Sequence, residues 1–225
     1  MNPNNNDCGG PSFTDSETVL NRTRNWIENV VVGLNLCPFA ERPMKRGQLT
    51  IDVVRGVDEE DVVASVLYQM IKLSSPDEVG TSIIVSPDLY ADDFSSYMEI
   101  VHYMEDIIPE HDLDGIIQLA PFHPLFEFAG EDSSDISTYT NKSPYPMFHI
   151  LREEEVSAAV KQLNDDSSQV WKRNIDILES LENNLGAQNL RNWLTDPTNS
   201  DDDSIKNKIK AVLKESKLNK LDSIE

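Results

Sequence analysis

Residues 49–85, LTIDVVRGVDEEDVVASVLYQMIKLSSPDEVGTSIIV, decide the fold of this 225-residue chain. Leu49 to Val54 is β-branched and alternates at first, which reads as a strand. From Asp58 to Leu73, Val62, Val66, Met70 and Leu73 recur on one helical face behind an acidic first turn. Pro76 follows the helix stop, and Thr81 to Val85 is a short apolar run read as a second strand. The same alternation continues outward. Asp92 to Ile108 is a helix ended by Pro109, and Gly115 to Ala120 is a third strand. Met147 to Leu151 is the candidate fourth strand, feeding helices at 153–163 and 169–185. On the amino side, Thr14-Asp15-Ser16-Glu17 is a capping box. The stripe Val19, Trp26, Ile27, Val30, Val31 and Leu34 follows it and stops before Pro38. The expectation is an α/β fold: a mixed, mostly parallel sheet of about four strands with flanking helices.

Composition divides the chain. Residues 1–13 read as a disordered tail, 14–195 as a single α/β domain, and 196–225 as an acidic and Lys-rich tail. In that tail Ile205, Ile209 and Leu213 recur at spacing four, as in a short amphipathic helix. The net charge is −21, with 19 Lys plus Arg against 40 Asp plus Glu. Six of each lie in 201–225, so positions 1–200 carry the whole excess on only 13 cations. Such a body repels nucleic-acid backbones and anionic membranes, so neither is an expected partner. Residues 200–225 could instead meet a protein. No apolar run is long enough to span a bilayer, the Asn-rich opening residues are not expected to act as a secretory leader, and Cys8 and Cys37 are not expected to make a disulfide framework. The expected location is cytoplasmic.

Residues 121–146 form a long aromatic loop leaving the carboxyl end of the third strand, where ligands of open α/β sheets bind. His123 opens it and His149 lies just beyond it; either imidazole is suited to proton transfer or to a divalent metal ion. Cys37 is a third candidate ligand, although its place at a helix carboxyl end disfavours a thiolate. Tyr139 and Asn141 are candidates to orient a substrate. Lys142 and Arg152 are candidates to hold its anionic group. The competing readings are a half-buried structural histidine, an ordered connector, and an ion pair of Arg152 with Glu153, Glu154 or Glu155.

Three segments carry a resemblance. Asn35-Leu-Cys-Pro-Phe-Ala40, His123-Pro-Leu-Phe-Glu-Phe-Ala-Gly130 and Tyr139-Thr-Asn-Lys-Ser-Pro-Tyr-Pro146 through Arg152 resemble a family of bacterial and algal proteins catalogued as domain of unknown function 1415. The resemblance spans about residues 16–185, implies no assigned activity, and groups these segments as the family's signature. Lys142 stands where that pattern more usually has Arg. Two functions stay open. One is a small-molecule enzyme whose pocket under the 121–146 loop is built from His123, His149, Cys37, Asn141, Tyr139 and Arg152, with a divalent metal as its conceivable cofactor. The other is a non-catalytic, acidic binding or interaction protein.

Overall fold

A computed structural model of the chain describes residues 14–37, 39–161, 168–197 and 203–215. The expected disordered tail at 1–13, with Cys8, lies outside the described residues, as does Pro38. Helix α1 (Ser16–Trp26) is capped by Asp15, whose side chain accepts from the Thr18 amide, and continues through a π-helical turn (Ile27–Val32). A short helix α2 (Glu41–Lys45) leads into strand β1 (Leu49–Val53). Helix α3 (Glu59–Ser74), strand β2 (Thr81–Val85), helix α4 (Phe94–Glu110) and strand β3 (Ile117–Phe122) follow. A 3-10 turn (Ile136–Thr140) interrupts the long loop before strand β4 (Met147–Arg152). Helices α5 (Glu153–Lys161), α6 (Ser168–Leu185), α7 (Ala187–Thr195) and α8 (Asp203–Glu215) follow among the described residues.

The strand order is β1-β2-β4-β3. Strands β1 and β2 pair in parallel, whereas β4 is antiparallel to both β2 and β3. The sheet is therefore mixed, and the expected mostly parallel arrangement is corrected: one pair of three is parallel. The cause is the long loop. It turns the chain back so that β4 enters the slot between β2 and β3, which run the same way as each other. Nothing local in β3 specifies its neighbour. The central place of β4 does have a sequence trace, because Met147, Phe148 and Ile150 are completely buried, and a strand covered on both faces is apolar almost throughout.

Alternation sorts the side chains onto two faces. Ile84, Ile117, Leu119, Phe148 and Ile150 pack under α3 and α4. Ile83, Val85 and Met147 pack on the other face under α1, α6, α7 and α8. Tail helix α8 buries Ile209, Val212 and Leu213 in that second core, lying on α6. One glycine is sterically demanded. Gly80 has φ +94°, and a Cβ there would meet the Gln48 carbonyl at 2.1 Å, so β2 can start alongside β1 only with hydrogen at this position. No helix among the described residues is long and apolar enough to cross a membrane.

Candidate functional site

His123 is fully buried just past β3, on the α3–α4 side of the sheet, and both of its ring nitrogens are occupied. The Leu125 amide donates to Nδ1 at 3.0 Å, which leaves the proton on Nε2, and Nε2 donates to the Tyr90 carbonyl at 2.9 Å. The ring packs at 4.8 Å from Tyr97 and 5.3 Å from Phe94. Burial lowers its pKa, opposed by the bond to Tyr90 and by Asp92 and Asp93. This neutral imidazole ties the β2–α4 loop to the β3–β4 loop.

His149 lies on the opposite face. Within β4 it pairs with Ile83 of β2 and Ala120 of β3, and its ring faces Phe122. The Thr81 hydroxyl donates to the Ile150 carbonyl at 2.6 Å, so toward the imidazole it can only accept, and His149 Nε2 donates to it at 2.7 Å. Burial pushes this histidine down to about 4, so it too is neutral at pH 7.

Arg152 is engaged elsewhere again. Its Nη1 donates to the Leu73 and Ser75 carbonyls at 2.5 and 2.8 Å, and Glu154 stands 3.8 Å from Nη2. The guanidinium thus satisfies carbonyls at the carboxyl end of α3, where a cation also suits the helix dipole. The ion pair expected with the following acidic helix is present but long. Replacing Arg152 by Ala is expected to cost about 2 kcal/mol, because two partly buried carbonyls lose a charged donor. Urea unfolding measures it, and a midpoint unchanged from the parent would show the clamp to be energetically idle.

Cys37 sits in a turn held by α6. Arg173 donates to the Asn35 carbonyl and Asn174 Nδ2 to the Leu36 carbonyl at 2.7 Å. Asn35 takes the left-handed conformation (φ 52°) that ends the first helix, a place where asparagine is tolerated. Burial pushes the thiol up, outweighing the guanidinium of Arg173, so Cys37 is protonated. Among the described residues no group of three or more His, Cys, Asp and Glu side chains is gathered as a metal ion needs. His123, His149, Cys37 and Arg152 are thus set into four separate packing arrangements.

What the structure does bring together is the loop from Tyr139 to Tyr145, with α1 and α7. Lys142 Nζ stands 4.5 Å over the Tyr139 ring and donates to the Ser133 carbonyl at 2.7 Å. Arg191 of α7 lies 6.0 Å from the same ring and donates to the Ser134 carbonyl and to Glu182 at 3.0 and 3.2 Å. Arg22 of α1 lies 5.5 Å over the Tyr145 ring and pairs with Asp196. All three of these cation–ring contacts fall on one segment. Burial and the like charge of Arg191 lower the Lys142 pKa, with Glu127 opposing. Burial raises that of Tyr139.

Asn141 braces the loop from within. Its Nδ2 donates to the Pro121 carbonyl at 3.2 Å, and its own carbonyl accepts from the His123 amide at 3.2 Å. The Tyr145-Pro146 bond is trans. Several buried donors along this region have no hydrogen-bond partner among the described residues: Arg22 Nε, Arg191 Nε, Thr23 Oγ1 and Trp26 Nε1. Trp26 meets Phe122 edge-on at 5.7 Å, which places it at the carboxyl end of β3. Of the residues in this cluster, Tyr139, Asn141 and Lys142 are candidates already in the sequence, whereas Arg22 and Arg191 are not. Arg22 looks like the polar face of an amphipathic helix, and Arg191 lies in α7, whose start carries no side-chain cap. The available signal was the scarcity of cations in positions 1–200.

Comparison with known proteins adds one match. A family model described as a protein of unknown function (DUF1415) matches residues 18–188. No curated protein and no solved structure matches the chain.

Proposed function

We propose that this chain, which belongs to the DUF1415 family of proteins of unknown function, is a binding protein for a small molecule carrying a carboxylate or phosphate. Its site is the shelf made by Tyr139, Lys142 and Tyr145 with Arg22 and Arg191. One observation carries the reading: three of the 13 cations available to positions 1–200 converge on two tyrosines of one loop. Drawing Lys142 and Arg191 together costs free energy through like-charge repulsion, which a bound anion would relieve. The buried Nε donors of Arg22 and Arg191 are supporting detail, since buried donors are normally matched by protein, water or ligand.

Two further features support this reading over the enzyme. Its proton-transfer candidates, His123 and His149, are held neutral in separate structural roles, and Arg152 holds the end of α3. The aromatic rings of Tyr139 and Tyr145 offer flat apolar surface beside the cations, which suits a ligand with a planar body.

The test is calorimetric titration of the full chain with phosphate, pyrophosphate, citrate and benzoate. At least one is expected to bind saturably. Lys142→Ala and Arg191→Ala should each weaken it about 10- to 100-fold, the loss of one charge-assisted contact, without unfolding the protein. Binding that neither variant alters would place any anion site elsewhere, and silence across all four probes would remove the reading.

A further inference from the structure

An open groove lies between β1 and α3, on the α3–α4 side of the sheet. It has a volume of about 480 Å³. Val54 and Ile84 of the sheet form its floor; Asp61, Ser65, Tyr68 and Gln69 of α3 form its wall, and Asp52 stands at its base. Tyr68 is 63% exposed although its ring lines the groove.

Beside the groove, β1 is an edge strand. The Val54 amide donates to the Val85 carbonyl and the Thr81 amide to the Gln48 carbonyl, which fixes the even-numbered residues as those bonded to β2. The main-chain groups of Leu49, Ile51 and Val53 therefore point away from the sheet. None of them has a hydrogen-bond partner among the described residues. An unpaired edge is a template for an added strand.

We infer that the β1 edge takes up an extended peptide bearing lysine or arginine at alternate positions, which adds a strand and lays its basic side chains in the groove. The register of a strand makes the two halves compatible. Alternate side chains of the guest fall on the face that carries Asp52, while its main chain meets Leu49, Ile51 and Val53. Lysine stems would lie along Val54 and the Tyr68 ring, with their ammonium heads toward Asp52 and Asp61. Asp52 accepts one bond from Gln69 at 2.7 Å through Oδ2, which leaves Oδ1 for a guest. Glu59, Glu60 and Asp61 crowd the first turn of α3, so the field at this end of the groove favours a cation. A second copy of the chain is the wrong occupant, because it would bring another −21 to an acidic edge.

The experiment uses the full chain and a labelled hexapeptide of alternating lysine and valine, followed by fluorescence anisotropy and amide chemical shifts. Saturable binding is expected, with the largest shifts at Leu49, Ile51 and Val53. Asp61→Asn and Asp52→Asn should each weaken it at least threefold, and a glutamate–valine peptide should not bind. Asp61 lies in an exposed first turn, so its variant remains informative if Asp52→Asn disturbs the Gln69 bond and folding. Peptides N-methylated only at lysines or only at valines form the decisive pair: one must lose binding about tenfold and the other must keep it. Equal behaviour of the two would mean charge adhesion without strand pairing. That outcome, shifts confined to another surface, or a dimer through β1 in sedimentation would each overturn the inference.

Discussion

His123→Ala is expected to lower folding stability by about 3–5 kcal/mol, measured as a fall in the urea midpoint at unchanged slope. The substitution leaves a void beside Phe94 and Tyr97 in a position with no solvent exposure. It also strands two backbone groups, the Tyr90 carbonyl and the Leu125 amide, that the imidazole now satisfies. Each stranded group costs about 1–3 kcal/mol, and the void adds a comparable amount. His123→Gln, which keeps a donor and an acceptor on a similar stem, should recover part of the loss. Anion binding at the Tyr139–Tyr145 shelf should persist in whatever fraction of the variant is folded. A His123→Ala protein as stable as the parent but unable to bind ligand would reverse the assignment and restore His123 as a functional group.

How far the sequence could be read is clearest at β4 and its two flanking functional candidates. Every strand was legible within a residue or two, because β-branched runs between proline and glycine stops leave few alternatives. Strand order was not, since the antiparallel return of β4 depends on where a 24-residue loop carries the chain, and that is a tertiary property. At the site, residue type announced capacity but not occupancy. His123 and Arg152 are capable of catalysis or anion binding, yet their donors are taken up by the carbonyls of Tyr90, Leu73 and Ser75, from segments far away in sequence. Lys142 and Tyr139 could be singled out because both lie within one short polar-aromatic segment. Arg22 and Arg191 could not, because only the packing of α1 and α7 on that segment brings them there.

His149 offers a signature in pH that separates its role from the general acid response of so acidic a protein. Its folded pKa of about 4 lies below the ordinary 6.5, so the native state favours the neutral ring. The stabilisation is therefore complete above pH 6.5, and it is lost as pH falls from 6.5 toward 4, where the unfolded chain binds a proton that the native state refuses. The whole window is worth about 3 kcal/mol, and about 2 kcal/mol of it falls between pH 6.5 and 5. His123, depressed in the same direction, adds to the slope. Two other effects run alongside. Acidification reduces the self-repulsion of a −21 chain, which stabilises it, while Asp93, Asp132 and Asp135, held low by Ser96, Ser134 and Ser137, lose their contribution only below the ordinary carboxylate range. Neither depends on residue 149. His149→Gln keeps a donor for Thr81 and cannot titrate, so the difference between parent and variant isolates the histidine. Urea unfolding at half-unit steps from pH 7 to 5 should show the parent losing about 2 kcal/mol more than His149→Gln. Parallel curves for the two proteins would mean that water reaches this imidazole and that the inner face of β4 is open to solvent.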